Sequence, residues 1–351
     1  MTSYTWGTTA IVRETESAIT VVFDSGIEPF HYKPGQFINL TLQIDGQAIT
    51  RSYSLSSVQE EDAHPAITVK RVTGGIMSNY IVDQADSISR WQVSGPYGSF
   101  TPPAEAFHAG HVVLLAGGSG ITPLFSIARS IISGSNDTHV TLIYSNRTPH
   151  EIIFRGKIED WAYQHKERVS IHYAVSQPGS LTSIHGAALF RGRINKLAVK
   201  KMLKMSVPSP LEAAHFFICG PVELMRLHQD VLTSQQIPEQ QVFTEWFAPD
   251  ENSISVVPPI EMQEVLLHFF DQSNLLEVQA GKTILTAALE DRIPLPYSCK
   301  SGTCGICTAR LTSGQVSMAN NFALRKSDVE SGLILLCQSY PVTGDVTVEI
   351  D

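Results

Sequence analysis

The first hundred residues alternate between hydrophobic and polar positions in short runs that are separated by turn residues. A period of two is typical of strands with one buried face, and several such strands in succession predict an antiparallel barrel or sandwich. The strand candidates are TTAIVRE, AITVVFD, QFINLTL, AITVKRV and WQVSGPYG. We therefore predict a small antiparallel β-barrel domain over residues 1–105.

From His111 the pattern changes to largely apolar runs that alternate with helix-like stretches. HVVLLAG is typical of a buried parallel strand, and the helix-like ITPLFSIARSIIS follows it after a glycine-rich loop. Further strand candidates are VTLIYS, VSIHYAVS and HFFICG, and ELMRLHQDVL is one of the helical stretches between and after them. This alternation predicts an α/β nucleotide-binding domain with a parallel sheet over residues 106–249.

A polar and proline-containing segment at residues 250–262 predicts a linker, after which a new hydrophobic register begins. EVLLHFF and NLLEVQAG alternate like a hairpin, TILTAALED has helical spacing, and VTVEI closes the chain as a strand candidate. We predict a third domain over residues 263–351, so the chain as a whole is expected to be multidomain.

Composition and charge narrow the class of protein. Hydrophobic residues make up 43% of the chain and charged residues 17%, which is typical of globular proteins. The formal net charge of −9 disfavours nucleic-acid binding, which relies on Lys and Arg. The N-terminus does not resemble a signal peptide, and no apolar run approaches the ~18 residues of a membrane span. We expect a cytoplasmic protein with no nucleic-acid or membrane partner.

Four of the five cysteines follow a cluster-binding spacing. Cys299, Cys304 and Cys307 form C-x4-C-x2-C, and Cys337 follows after 29 intervening residues. This spacing is typical of a plant-type [2Fe–2S] site. Four thiolates can also hold a structural zinc ion, although zinc ribbons usually present two C-x2-C pairs and this chain has one. Residues 263–351 resemble a plant-type ferredoxin domain, and that resemblance implies an α+β β-grasp fold.

Three segments of the first domain suit a flavin: R-x-Y-S at residues 51–54, VKRVTGGIMSNY at 69–80 and GPYGSF at 95–100. A Tyr can lie against a flavin ring, and an Arg offers a planar fork of donors for a diphosphate. Glycines before a helix N-terminus let backbone amides approach an anion. R-x-Y-S alone also fits an ordinary strand with an exposed Arg, whereas the three segments in this order are much more specific.

Together these segments resemble the ferredoxin–NADP reductase superfamily. The resemblance implies that the Arg and the Gly-Ser turn hold the flavin diphosphate, and that Tyr53 and Ser54 contact the ring and are candidate catalytic residues. GPYGSF favours FAD over FMN within that superfamily. The candidate flavin-site residues are Arg51, Tyr53, Ser54, Val69, Lys70, Gly75, Met77 and Ser78.

Two further motifs suit a nicotinamide nucleotide. The loop GGSGITP follows the first apolar strand, and its backbone amides and helix dipole suit a pyrophosphate. It is not a complete dinucleotide-binding fingerprint, because Pro123 stands where the last Gly is required. The candidate residues in this loop are Gly118, Gly120 and Thr122.

The second motif is Cys219-Gly220-Pro221 with Met225, directly after the strand HFFI. In the superfamily such a motif lies beside the nicotinamide, which makes Cys219 a candidate catalytic and cofactor-binding residue, together with Gly220 and Met225. A buried structural thiol is the alternative. Near the end of this domain, Glu245 or Phe247 could lie near the flavin, although a terminal core strand would explain them equally well.

Arg147 bears on the choice between NADPH and NADH. It follows the second strand candidate of the α/β domain, where a cation could meet an adenosine 2′-phosphate, and no Asp or Glu stands there to bind a 2′-hydroxyl. We therefore favour NADPH, with NADH possible. A solvated surface Arg is the alternative for this residue.

The resemblance covers essentially the whole chain and extends to reductase components of multicomponent oxygenases, with the phenylacetyl-CoA epoxidase type as the best match. It implies an enzyme that passes electrons from NAD(P)H through FAD and a [2Fe–2S] cluster to a partner oxygenase or another redox protein. A free-standing flavin, quinone or hybrid-cluster-protein reductase is the alternative function. A zinc-containing interaction module is a more distant one.

Overall fold

The computed structural model describes residues 3–27, 29–184, 186–207, 211–247 and 261–350. The chain divides into two compact units, residues 2–247 and residues 248–351, and each is described by itself. Most of the predicted linker, residues 250–260, lies outside the described residues. The predicted domain boundaries at residues 105, 249 and 262 stay predictions.

The first part of the larger unit is an antiparallel six-stranded barrel. Its elements are β1 Ser3–Thr15, β2 Ala18–Asp24, β3 Phe37–Ile44, β4 Gln47–Ser54, β5 Ala66–Lys70, α1 Ile76–Gln84 and β6 Trp91–Tyr97. The strand order is β4-β3-β6-β1-β2-β5, and a bridge between Leu55 and Ile67 joins the two ends. Three large aromatic side chains, Trp6, Phe23 and Trp91, fill the interior, where Phe23 contacts both tryptophans. The predicted antiparallel barrel is confirmed.

The second part of the larger unit is a parallel sheet with helices between its strands. Its elements are β7 His111–Gly117, α2 Ile121–Gly134, β8 His139–Asn146, α3 Arg155–Gln164, β9 Val169–Val175, β10 Ala188–Arg191, α4 Lys196–Ser206, β11 Ala214–Cys219, α5 Val222–Ser234 and β12 Val242–Glu245. All seven residues of β7 are buried, because helices cover both faces of a parallel sheet. The predicted α/β domain is confirmed.

The strand order of this sheet, β10-β9-β8-β7-β11-β12, locates its ligand-binding crevice. The order runs outward from β7 in both directions, first to β8 and later to β11. In open α/β sheets ligands bind beyond the carboxyl ends of the strands at such a switch point. The segments that leave β7 and β11 are the glycine loop and the Cys-Gly-Pro motif, so both predicted nicotinamide motifs lie at this crevice.

The smaller unit is an α+β domain. Its elements are β13 Gln263–Phe269, β14 Gln272–Val278, α6 Ile284–Glu290, β15 Thr308–Ser313, β16 Val316–Met318, α7 Lys326–Glu330, β17 Leu333–Leu335, β18 Ser339–Pro341 and β19 Val346–Ile350. A five-stranded sheet in the order β14-β13-β19-β15-β17 packs against α6, and β16 pairs with β18. The fold class predicted for this part of the chain is confirmed.

Within the described ranges, no helix is both long enough and apolar enough to cross a membrane.

Candidate functional site

The glycine loop after β7 and the Cys-Gly-Pro motif after β11 pack against each other through their backbones. A Cβ atom added to Gly120 would lie 2.2 Å from the carbonyl oxygen of Cys219, and one added to Gly117 would lie 2.8 Å from Cδ of Pro221. A Cβ on Gly220 would lie 3.0 Å from the backbone of Gly117. Real Cβ atoms do not approach this closely, so the contact depends on glycine. Two motifs about a hundred residues apart therefore form one crevice.

The loop at the start of α2 fits the pyrophosphate of a nicotinamide nucleotide. Gly118 adopts φ +53°, and its carbonyl accepts a 2.9 Å hydrogen bond from the buried hydroxyl of Tyr144. The Thr122 hydroxyl donates to the carbonyl of Ser119 at 3.0 Å. Gly120 is the N-cap of α2, where no side chain caps the first amides. A helix N-terminus without a side-chain cap leaves N–H donors and a positive dipole end for an anion.

Three side chains from separate elements meet beside this crevice. Ser54, at the end of β4, donates a 3.0 Å hydrogen bond from Oγ to Oε2 of Glu245. Glu245 is the last residue of β12 and stands opposite Cys219 in the register between β11 and β12. The barrel motif predicted to contact the flavin ring is thus joined to Glu245, the strand neighbour of the motif predicted to lie beside the nicotinamide.

The ionisation of this trio is set by burial. Desolvation raises the pKa of Glu245 to about 8, against an opposing effect of the hydrogen bond from Ser54. The thiol of Cys219 is fully buried, and desolvation, with the nearby Glu245 as a second cause, holds its pKa well above the ordinary value. Around neutral pH both groups therefore retain their protons, and Cys219 is not a thiolate nucleophile.

The barrel residues fit a flavin diphosphate at its edge. The Arg51 side chain is exposed and donates to the carbonyl of Thr50 at 2.8 Å. Gly75 is the N-cap of α1 and provides no side-chain cap, and a Cβ there would lie 2.6 Å from Oγ of Ser78. Desolvation raises the pKa of Tyr53, which remains a neutral phenol able to lie against a ring.

Not every predicted flavin-site residue presents its side chain to a ligand. Val69 and Met77 are buried in the barrel core, so their side chains support the site from beneath. Lys70 extends from the end of β5 toward the other domain. Its Nζ lies 3.8 Å from the position that a Cβ of Gly118 would occupy, and 3.9 Å from Glu151. The ammonium group therefore lies beside the nucleotide loop.

The remaining predicted nucleotide residues occupy different positions. Met225 is fully buried on α5, and its amide donates to the carbonyl of Pro221 at 3.0 Å, which supports the Cys-Gly-Pro turn. Arg147 is exposed just beyond the carboxyl end of β8, with Nε 3.4 Å from Oε1 of Gln177. Its guanidinium is at the rim of the sheet edge rather than in the crevice.

The four predicted cluster ligands converge in the smaller unit. The Cys299 thiol is within hydrogen-bonding reach of Cys304 and Cys337, and Cys307 is within reach of Cys337. Cys307 and Cys337 are buried, whereas Cys299 and Cys304 keep partial exposure. Four free thiols in mutual contact fit the donor set of a [2Fe–2S] cluster.

The loop that carries these ligands is held open by its backbone. Gly302 and Gly305 have φ +79° and +72°, and a Cβ on Gly302 would lie 2.7 Å from the carbonyl of Asn320. The amide of Ser301 points at Sγ of Cys299 at 3.4 Å, and Gln338 donates to the carbonyl of Lys300 at 2.9 Å. Amide donors of this kind help to set the potential of a cluster. Across the described ranges, these cysteines included, no group of three or more His, Cys, Asp or Glu side chains could by itself hold a single metal ion.

Of the residues at this crevice, Glu245 is the one that the sequence motifs predict least clearly. Its sequence TEW carries no motif, and its partner Ser54 is 191 positions away. The one available signal was its place at the end of the last strand candidate of the α/β domain, at the sheet edge where ligands bind.

Comparisons with known families agree with this arrangement. Residues 10–101 match the oxidoreductase FAD-binding domain, residues 114–230 the oxidoreductase NAD-binding domain, and residues 269–342 the 2Fe-2S iron-sulfur cluster binding domain. The assignment of FAD, a nicotinamide nucleotide and a [2Fe–2S] cluster as cofactors is confirmed, and the zinc alternative is set aside.

Two curated relatives match nearly the full length of the chain. The ferredoxin reductase component of 3-ketosteroid-9-alpha-monooxygenase from Mycobacterium tuberculosis is 32% identical, over 97% of this chain and 94% of the relative. A component of the 1,2-phenylacetyl-CoA epoxidase from Escherichia coli is 29% identical, over 96% of this chain and 95% of the relative. Both cover all three matched domains.

Two solved structures share the fold. Phthalate dioxygenase reductase, described as a modular structure for electron transfer from pyridine nucleotides to [2Fe–2S], has a TM-score of 0.59 at 22% identity, covering 99% of this chain and 98% of that one. An intact type IV self-sufficient cytochrome P450 monooxygenase has a TM-score of 0.75 at 20% identity. The match covers 99% of this chain and 41% of the P450 chain.

Proposed function

The chain belongs to the ferredoxin–NADP reductase superfamily, in the group with a C-terminal plant-type [2Fe–2S] domain, and we propose that it is the reductase component of a multicomponent oxygenase. The observation that carries this proposal is the joining of three motifs at one crevice. The glycine loop touches the Cys-Gly-Pro turn, and Ser54 of the barrel is hydrogen-bonded to Glu245 beside Cys219.

The three cofactors divide the redox chemistry. When bound, the nicotinamide supplies a hydride, the flavin accepts its two electrons and releases them singly, and the cluster carries one electron at a time. The chain's own residues bind and orient these groups. Arg51 and the amides after Gly75 would hold the flavin diphosphate, and Tyr53 would lie against the ring.

Ser54 and Glu245 hold a proton at the flavin side of the crevice. Burial keeps Glu245 protonated around neutral pH, and the Ser54 hydroxyl donates to its Oε2, so the carboxyl can act as a proton reservoir toward the barrel edge once the hydrogen bond with Ser54 reverses. Cys219 is a neutral, buried thiol, and its proposed role is to shape the surface on which the nicotinamide rests rather than to form a covalent bond.

Lys70 and Arg147 are proposed to bind the nucleotide at two different places. Lys70 would neutralise the pyrophosphate at the glycine loop, since its Nζ already lies beside Gly118. Arg147 would meet an adenosine 2′-phosphate at the rim of the sheet, which supports NADPH as the preferred donor. Separate cations at these two places predict separate effects on affinity and on donor preference.

We propose an oxygenase as the electron acceptor because the two curated relatives are named as components of a monooxygenase and an epoxidase. The phenylacetyl-CoA epoxidase type is our specific assignment of the partner, and it rests on overall resemblance. We place the protein in the cytoplasm, because its cysteines form no disulfide and reduced nicotinamide nucleotides are available in that compartment.

The first test is an anaerobic visible titration of the purified holoprotein with NADPH and then with NADH, beside flavin and iron analysis. Both the flavin and the cluster absorption bands are expected to bleach, and at a lower concentration of NADPH than of NADH. Purified phenylacetyl-CoA epoxidase and ketosteroid monooxygenase components then serve as acceptors. Reduction of cytochrome c without turnover of any oxygenase would contradict the oxygenase assignment and favour a free-standing flavin or quinone reductase.

A further inference from the structure

The R-x-Y-S segment at residues 51–54 and the glycine loop after β7 belong to different domains of the larger unit. Their relative position therefore depends on contacts between the barrel and the parallel-sheet domain. Helix α2 makes several of these contacts. It begins at the nucleotide loop, and along its length Ser126, Arg129 and Ser133 face the barrel. The Ser126 hydroxyl accepts a 3.3 Å hydrogen bond from the amide of Gly35.

Arg129 makes the most extensive of these contacts. Its guanidinium donates from Nε to Glu61 at 2.8 Å, and from its two terminal nitrogens to the two carboxylate oxygens of Asp62 at 2.9 and 3.0 Å. The hydroxyl of Ser133 also donates to Glu61. Only 18% of the Arg129 side chain is exposed. We call these four residues the Arg129 cluster, and its bidentate geometry fixes direction as well as distance.

On the barrel side, the Arg129 cluster is connected through one loop to the R-x-Y-S segment at residues 51–54. Glu61 and Asp62 lie in the loop that leaves β4 directly after Ser54. Asp62 accepts a 2.7 Å bond from the amide of Val58, and Ser57 in the same loop bonds the hydroxyl of Tyr32 at 2.7 Å. These polar contacts hold Asp62 and Ser57 within the loop, and the loop connects Asp62 directly to the R-x-Y-S strand.

On the other side, the cluster is attached to the nucleotide loop through a stiff helix. The last turn of α2 is capped by Arg168, whose guanidinium donates to the carbonyls of Ile132 and Ser135. The first turn of α2 carries Thr122 and the loop that touches Cys219. An α-helix rises 1.5 Å per residue, so Arg129 lies about 10 Å along the axis from Thr122.

We propose that Arg129 is a positioning residue, which sets the angle between the barrel and the parallel-sheet domain so that a nucleotide on the glycine loop meets the flavin beside Ser54. This inference rests on the proposed function. In the step concerned, a hydride would pass from the bound nicotinamide to the bound flavin, which would leave an oxidised nucleotide and a two-electron-reduced flavin. A displacement of about 1 Å can slow such a step by about 100-fold.

The test compares Arg129→Gln and Arg129→Lys with Arg155→Gln in the full-length holoprotein. Arg155 is the matched control, because its 2.8 Å ion pair with Glu159 lies within α3 and joins no two domains. We measure FAD content, the dissociation constant of NADP⁺ by calorimetry, the change that NADP⁺ causes in the flavin spectrum, and flavin reduction in stopped flow at saturating NADPH.

Arg129→Gln is expected to keep its FAD and to bind NADP⁺ within about two-fold of the unmodified protein. Its flavin difference spectrum is expected to fall to less than about half, and flavin reduction to slow by about 10-fold or more. The difference spectrum and the flavin reduction rate of Arg129→Lys should lie between those of Arg129→Gln and the unmodified protein, because Lys keeps the charge without the bidentate geometry. Arg155→Gln should match the unmodified protein throughout.

An Arg129→Gln variant with an unchanged difference spectrum and reduction rate would overturn the inference, whatever its melting temperature. If this variant does not fold, Glu61→Gln provides the same comparison by weakening one side of the cluster, and an unchanged spectrum and rate there would equally overturn it. Failure of the proposed function is distinguishable, because then NADPH would not reduce the flavin of the unmodified protein. The NADP⁺ difference spectrum tests Arg129 even in that case.

Discussion

Glu245→Gln tests the protonation state of the carboxyl beside Ser54 and Cys219. In the folded protein the pKa of Glu245 is about 8, compared with 4.5 for the ordinary residue. A raised carboxyl pKa means that the folded state binds the proton more tightly than the unfolded chain. Its contribution to stability is therefore fully present below about pH 4.5 and is lost as the pH rises through about 8. A Gln side chain has no proton to lose and removes this dependence.

The magnitude follows from the shift. At 1.36 kcal/mol per pKa unit, the difference between 4.5 and about 8 corresponds to at most about 5 kcal/mol. Glu245 as a residue keeps some exposed surface, although its carboxyl is enclosed, and access of water to the residue reduces the effect. We expect the free energy of unfolding of the unmodified protein to fall by up to about 4 kcal/mol relative to Glu245→Gln between about pH 5 and about pH 9, the part of the full effect that lies in this range.

The location of the tryptophans makes this measurable in the full chain. All four, Trp6, Trp91, Trp161 and Trp246, belong to the unit of residues 2–247, so urea unfolding followed by tryptophan fluorescence reports on that unit alone. Glu167→Gln removes an exposed carboxylate from the same unit and serves as the control. Stability curves of Glu245→Gln and the unmodified protein that stay parallel across this range would refute the buried, protonated carboxyl.

Four further perturbations test other parts of the site. Burial lowers the pKa of His228 to about 3, so the free energy of unfolding should fall as the pH falls below about 6.5. His228→Leu should lose up to about 4 kcal/mol less of this free energy than the unmodified protein by about pH 3.5, and an equal loss in both proteins would contradict this. Lys70→Gln should raise the KM for NADPH by about 10-fold and weaken its dependence on salt, with FAD content unchanged; loss of FAD instead would assign Lys70 to the flavin. Gly120→Ala should destabilise the protein by about 2 to 3 kcal/mol in a thermal melt and abolish nucleotide binding. Gly156→Ala is the control, because a Cβ on that residue of α3 meets nothing within 4 Å, and it should be neutral or stabilising in the same melt. Cys304→Ser should lower the iron content and stop reduction of one-electron acceptors while NADPH still bleaches the flavin; intact delivery to the partner would make the cluster ancillary.

The convergence of the four cysteines could be predicted from sequence because three of them are close together along the chain. Cys299, Cys304 and Cys307 lie within nine residues, and their spacing restricts the loop to shapes that bring the sulfurs together. The short strands around that loop were not predicted. Each of β16, β17 and β18 has three residues, which is too short for an alternating pattern to be visible.

The flavin and nucleotide motifs were located from sequence, but the side chains that connect them were not. The VKRV segment predicts Lys70 as a flavin-site residue, and only the docking of the two domains brings it to the loop of Gly118. The Arg129 cluster joins residues 67 positions apart and carries no motif at either end. Long-range polar contacts of this kind depend on how two surfaces meet, which no local pattern encodes.

The convergence of the site follows from strand order rather than from any single motif. Because β11 lies between β7 and β12, the residue that ends β11 is a neighbour both of the glycine loop and of Glu245, which ends β12. Glu245 can then meet Ser54 only if the barrel is held at one angle to the sheet. Residues that act through one shared geometry should not have additive effects. A variant that combines Arg129→Gln with Ser54→Ala should therefore slow flavin reduction by less than the product of the two single effects, and multiplicative effects would show that the two contacts act independently.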